Sequence, residues 1–468
     1  MKRYPLLLLV MLLGGCAHFT DEPIDPESTL IIFEARSLDD PGLMILMQET
    51  APDRDRTAGW DAADLTLAAF YFQPELAVCR ARWEAAAAGI DVAGERPNPT
   101  LSVVPAFNSS TPSSEDISPW IIGVGLDIPL DYSGKRKAGV AEAEALARAA
   151  WLQLLQTGWE TRSQVRSELL AVYAARQQAA WQQQRVVLLQ EHQKQIENRN
   201  RLGAAMQLEV RRARQELAAA DVEAMESQKQ EALAMARLAA AIGIPLHALD
   251  AVAIDFSEFD ALPEPVPSAV LTQALTHRAD ILGQLAEYEA SQARLQLEIA
   301  RQYPDLSIGP GYEFDQGDHK WGLGISLTLP IFNQNQAAIE AARRQREEAA
   351  ARFNALQARV IGELNEAIAD YTYSLNQYRA LQFLERETEQ SYRLLQQQVA
   401  AGAVARSSLV AEELALSATA RQVLDARIEA LAALGRLERE LQSPADATDA
   451  RLLLNPALND HGDPDENK

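Results

Sequence analysis

Four stretches of the chain alternate apolar with small or polar residues at a period of two, and each pair of them precedes a helical stretch of unusual length. In the first pair, residues 101–107 alternate loosely. Ile122, Val124, Leu126 and Ile128 then mark an apolar face opposite Gly123, Gly125 and Asp127. The second pair is sharper: Leu306, Ile308, Tyr312 and Phe314 oppose Ser307, Gly309, Gly311 and Glu313, and Trp321, Leu323, Ile325, Leu327 and Leu329 oppose Gly322, Gly324, Ser326 and Thr328. Each run lasts about nine or ten residues, the length of a tilted strand crossing a bilayer. Loops rich in Ser, Pro, Asp and Gly at 108–119 and 315–320 join the runs into two predicted hairpins.

After each hairpin the period changes. Residues 135–200 contain no proline and only Gly139 and Gly158, and residues 336–400 contain only Gly362. Helices of that length span roughly 100 Å. Leu364, Ile368, Tyr371, Leu375 and Tyr378 keep coiled-coil spacing, and Val165, Leu169 and Val172 hold equivalent places in the first half. Both helices break at a glycine, Gly203 or Gly402, and helical pattern resumes to about Gly243 and Gln442. Upstream, residues 61–95 predict one Ala-rich helix ending before Pro97 and Pro99. Residues 17–60 are acidic and broken by Pro23, Pro26, Pro41 and Pro52, which predicts an irregular tether or outer strap.

The two halves repeat one plan. Leu76, Arg96, Pro99, Leu101 and Ser102 recur 205 residues later as Ile281, Arg301, Pro304, Leu306 and Ser307. After a slip of four, Trp120, Gly123, Leu126, Pro129 and Leu130 return as Trp321, Gly324, Leu327, Pro330 and Ile331. A unit this long means a duplicated domain, not a stacked array. The expected organisation is a leader at 1–15, a tether at 16–60, a first repeat at 61–244, a linker at 245–267, a second repeat at 268–442 and an acidic tail at 443–468 whose end is expected to be disordered.

Four membrane-type strands cannot stand alone in lipid, because an open sheet leaves unpaired backbone groups at two edges. Subunits must share a barrel: two chains give eight strands with a filled interior, three give twelve and a lumen. Two soluble hairpins capping a helical bundle are the alternative. A formal charge of -23 repels phosphates and argues against nucleic acid. At the N-terminus Lys2 and Arg3 precede an apolar run, Leu6 to Leu13, too short to span a bilayer but suited to a secretory leader. Leu13-Gly14-Gly15-Cys16 resembles a bacterial lipoprotein cleavage box, which implies lipidation at Cys16. Cys79, the other cysteine, reads as a small apolar helix residue.

The duplicated hairpin and long helical pair, with Tyr303-Pro304-Asp305-Leu306 entering a strand and Leu329-Pro330-Ile331-Phe332-Asn333-Gln334 leaving one, resemble the TolC-like outer membrane factor family over about residues 60–442. The resemblance implies a mainly α protein with membrane β structure: a homotrimer with a 12-stranded β-barrel, four strands per chain, on a long coiled-coil α-helical barrel. It also implies a periplasmic adaptor, an inner-membrane efflux pump, outer membrane lipids around the barrel and a passive role without cofactor. The helix reversals, Leu202-Gly203-Ala204 and Ala401-Gly402-Ala403, are the family's adaptor-contact tips and are nearest in flavour to cation-efflux channels, so metal cations are preferred over drugs as cargo. Structurally, a glycine there needs no explanation beyond its tolerance of positive φ.

Where TolC itself carries an aspartate pair beyond the second tip, this chain has Ser408 and Ala411. Glu412 and Glu413 just beyond are the candidate periplasmic aperture, with a solvated helix face as the plainer alternative. Asp315, Asp318 and His319 lack metal-site spacing and read as surface loop, and no zinc-protease, P-loop or nucleophile-elbow motif is present. The chain is therefore expected to be neither an enzyme nor a metal protein. A structural or adaptor-type periplasmic coiled-coil lipoprotein is the rival class; an adaptor carries one helical hairpin, where this chain has two.

Overall fold

The computed structural model describes residues 19–50, 59–109, 117–250, 252–264, 275–404 and 406–442. Cys16, the leader, the tail at 443–468, much of the first hairpin loop and part of the linker lie outside the described residues.

The described chain runs α1 (Pro26–Glu34), α2 (Pro41–Thr50), α3 (Ala62–Phe72), α4 (Pro74–Gly94), β1 (Thr100–Phe107), β2 (Trp120–Leu130), α5 (Lys135–Arg201), α6 (Gln207–Ile242), α7 (Ala279–Ala300), β3 (Leu306–Asp315), β4 (Asp318–Leu327), α8 (Gln336–Ala400) and α9 (Arg406–Leu441). The strands form one antiparallel sheet in the order β1-β2-β3-β4, so the two hairpins meet along β2 and β3. The long helices pair as α5 with α6 and α8 with α9, and α9 also lies against α5. At 67 and 65 residues, α5 and α8 are roughly 100 Å long. The shorter α4 and α7 hold equivalent places in the two halves, each preceding its hairpin and packing on α5.

Two expectations are corrected. The tether carries two helices. Asp25 caps α1 by accepting from the backbone N–H groups of Glu27 and Ser28, and α2 buries Leu43 and Met47. The single helix at 61–95 is two, because Pro74 holds Gln73 in extended backbone and cannot donate to the preceding turn. Of these, α3 is buried almost all round and is the hub of the main core, where Leu65, Leu67 and Phe70 meet Val165 and Leu169 of α5, Leu238 and Ile242 of α6 and Leu249 and Phe259 of the linker. The linker therefore packs as structure. Trp60 and Ile254 form a parallel bridge, with Trp60 N–H donating to Ala253 O at 2.8 Å.

The coiled-coil positions go where their spacing places them. Val165, Leu169, Val172, Leu364, Tyr371 and Leu375 are buried, and Cys79 is buried against Thr157. Buried charges also join segments distant in the chain. Arg166 donates to Glu258 of the linker at 2.7 Å and lies 3.2 Å from Glu438 of α9. At the head of α7, Arg278 pairs with Asp280 and with Glu440 at the end of α9. Sequence reasoning missed both clusters; the available signal was Arg162 and Arg166 interrupting the apolar stripe of α5.

Candidate functional site

Two regions carry the geometry that bears on function: the sheet and the far ends of the helices.

In the sheet, register keeps like residues together on each face, most cleanly in the second hairpin. Leu306 pairs with Leu327, Ile308 with Ile325, Pro310 with Leu323 and Tyr312 with Trp321, while Ser307 pairs with Ser326, Gly309 with Gly324 and Gly311 with Gly322. The same alternation crosses to the first hairpin, Val124 with Tyr312 and Gly125 with Gly311. One face is therefore a continuous apolar surface left bare in the single chain, with Trp321 81% exposed. The other is a trough lined by Ser102, Gly125, Gly311, Gly322 and Gly324. Aromatic rings gather at the hairpin end, where Phe107 meets Trp120 at 5.2 Å and Tyr312 meets Trp321 at 4.8 Å. Tyr132, Tyr303 and Phe332 lie exposed beyond the other strand ends. An apolar band between two aromatic girdles is the outer surface of a membrane barrel.

The second hairpin is tighter than expected. Asp315 and Asp318 pair, so the turn is only Gln316 and Gly317, both at positive φ as a right-twisted two-residue turn requires. Asp315 binds Lys320, and Tyr312 Oη lies 2.6 Å from His319 Nδ1, so these loop residues pair with their strand neighbours. At the base, the chain leaves each hairpin through a left-handed residue, Gly134 or Asn335. Lys135 donates to Tyr303 O and Asp305, tying the first repeat's exit to the second repeat's entry.

The two helix reversals share one hydrogen-bond pattern. Gly203 N–H donates to Asn200 O at 3.0 Å and Ala204 N–H to Arg199 O at 2.8 Å; Gly402 N–H donates to Val399 O at 3.0 Å and Ala403 N–H to Gln398 O at 2.9 Å. Both glycines sit at φ +72°, and a Cβ on either would meet nothing within 4 Å. Each is therefore a Schellman C-cap in which glycine is required by backbone conformation and not by crowding. Leu202, Gly203, Ala204, Ala401, Gly402 and Ala403 are all exposed. Glu412 and Glu413 lie on α9 about three turns past the second tip, both half-buried. The charge of Glu413 faces Tyr392 of α8 and, after desolvation, helps hold that phenol above its ordinary range.

Among the described residues no three His, Cys, Asp or Glu side chains converge as a metal site, and no helix is long and apolar enough to cross a membrane.

This sheet and these helices are the parts of a strand-and-long-helix fold built from a half-sized plan used twice. The chain belongs to the outer membrane efflux protein family, whose model matches residues 72–244 and 270–441, one match per repeat. It is 27% identical over 264 residues to the cobalt-zinc-cadmium resistance protein CzcC of Cupriavidus metallidurans, covering 56% of this chain and 60% of that protein. It is also 27% identical over 305 residues to the pyoverdine export outer membrane protein OpmQ of Pseudomonas aeruginosa, covering 61% of each. The match thus spans about three fifths of the length of these curated relatives. The outer membrane protein VceC of Vibrio cholerae has the same fold, with a TM-score of 0.64 at 19% identity over 82% of this chain and 97% of that one.

Proposed function

We propose that this protein is the outer membrane channel of a tripartite efflux system: a homotrimer, lipid-anchored through Cys16, that receives cargo from a periplasmic adaptor and an inner-membrane pump. The observation that carries this is the four-stranded sheet, whose β1 and β4 edges are open and whose bare face is apolar up to His319 at the hairpin end. Backbone groups at such edges need partners inside lipid, and copies of the same sheet supply them without a new surface. Three copies make twelve strands, enough for an open lumen lined by the glycine and serine face. The helices repeat the arrangement: in the order α6-α5-α9-α8 the outer members α6 and α8 are free to meet those of neighbouring copies. Helices of roughly 100 Å then carry the lumen away from the membrane toward the tips.

The duct itself does no chemistry in this reading. Cargo selection belongs to the pump, with size and charge left to the channel. One relative's name speaks of cobalt, zinc and cadmium and another's of pyoverdine, so the fold serves different cargoes. Metal cations are preferred here because the chain is strongly acidic and Glu412 and Glu413 lie near the tip. The test is a membrane extract, in which a trimer should migrate as a heat-modifiable species, together with a gene deletion, which should sensitise cells to zinc, cobalt, cadmium or copper. A monomeric extract, or a deletion strain sensitive only to anionic compounds, counts against it. Mass spectrometry of the mature N-terminus should find Cys16 acylated; an unmodified start elsewhere ends that part of the proposal.

A further inference from the structure

The two tips are built alike in backbone, yet they differ in the charged and large apolar side chains around the reversal. A shift of 199 residues superposes the reversals and the 36-residue helices that follow them. Under it Arg199, Arg201, Arg211 and Arg212 of the first tip correspond to Gln398, Ala400, Val410 and Ala411 of the second, which has a single arginine of its own, Arg406, at the place of Gln207. Leu202, Met206 and Leu208 correspond to Ala401, Ala405 and Ser407. All four arginines are exposed, and Leu202 at 84% and Met206 at 71% are among the barest apolar side chains.

The acids nearby are already engaged. Glu197 binds Arg214 at 2.7 Å, and Glu209 accepts from the backbone N–H of Met206 at 2.9 Å. Arg199 folds over the reversal to donate to Ala204 O, and Arg201 donates to Asn198 Oδ1, both neutral acceptors, while the charge of Arg201 also acts on Glu197 from farther off. Among the described residues none of the four guanidinium groups forms an ion pair with a carboxylate. On a chain of charge -23 this end is thus a local excess of positive charge around an apolar knob. A small apolar centre with a charged rim is the anatomy of a protein contact, in which the rim selects partners by sign.

We propose that the first-repeat tip is the charge-selective docking point, and that its partner is the end of a helical hairpin with an apolar seat rimmed by Asp or Glu; the second tip makes the close backbone contact that its glycine allows. This rests on the adaptor-docking part of the proposed function but is tested apart from transport. The full-length protein in detergent is titrated with two fluorescent helical-hairpin peptides identical except for glutamates or lysines flanking a leucine tip. The glutamate peptide should bind at least about tenfold more tightly at low salt, and the preference should shrink as salt screens it. Arg211→Glu with Arg212→Glu should invert the preference, Arg211→Lys with Arg212→Lys should keep it, and Gln398→Glu with Ala411→Glu on the second tip should leave it unchanged. Equal binding of the two peptides, equal competition by soluble polyglutamate, or an equal effect from the second-tip pair overturns the proposal. A deletion strain with no transport defect alongside an intact peptide preference would instead sink the efflux reading and leave the docking chemistry standing.

Discussion

Replacing Arg166 should expose how the repeats and the linker are held together. This side chain is 4% exposed on α5, donates to Glu258, lies against Glu438, and has its guanidinium 5.7 Å from the ring centre of Phe259. Arg166→Met keeps much of the volume and removes the charge, leaving two carboxylates facing one another. Breaking a buried pair this way costs about 3–5 kcal/mol. The lower end applies, because Glu258 keeps a third of its side chain in water and Arg162 stands 3.6 Å from Glu438 as a second cation. A loss of about 3 kcal/mol is roughly a hundredfold in the unfolding equilibrium.

The defect should also depend on pH. Burial already pushes Glu258 above the ordinary carboxylate range, with Arg166 opposing that rise, so removing the arginine pushes it further. A carboxyl raised in the folded state binds its proton more tightly there than in the unfolded chain, so stability falls as pH rises through the folded value. The stability gap between wild type and Arg166→Met should therefore be widest near pH 8 and narrow toward pH 5. Thermal loss of far-UV circular dichroism in detergent, at one scan rate across that range, measures it, and Arg166→Met with Glu258→Gln should close most of the gap at pH 8. A variant as stable as wild type, or a gap that widens on acidification, refutes the reasoning.

Charge on the lipid face should block assembly: Ile325→Arg, opposite Ile308, is expected to cost about 2–4 kcal/mol and abolish the heat-modifiable trimer, while Ser326→Arg on the trough face leaves it intact. Gly309→Ala should impair the barrel out of proportion to its size, because the new Cβ would stand 2.0 Å from Leu126 O of the neighbouring strand; trimer yield is the readout. At the tips, Gly402→Val should abolish efflux and Gly402→Asn should largely retain it, since only the backbone at φ +72° is demanding and Asn tolerates that region. Glu412→Gln with Glu413→Gln should lower tolerance of metal cations without altering the amount of trimer, and unchanged tolerance removes the aperture role.

Much of the architecture was legible because periods of two and of about 3.6 residues are local properties, written in neighbouring side chains. Leu306 to Phe314 alternated as a strand and folds as one, and the glycines at 203 and 402 marked the reversals because few other residues accept that backbone. The family followed from the order of these elements. The break at Gln73 is also local, fixed by Pro74. What the sequence withheld depends on partners far along the chain. Trp60 meets Ile254, Arg166 meets Glu258 and Glu438, and α3 is buried almost all round only because α5, α6 and the linker converge on it. No window of sequence contains those pairs, so a stretch broken by prolines looked like a loose tether when its apolar residues had a core to enter. The tips show the same division. Sequence set the turn at each glycine, whereas the difference between them, arginines left over after Glu197 and Glu209 are engaged, is decided by which side chains the folded hairpin brings within hydrogen-bonding distance.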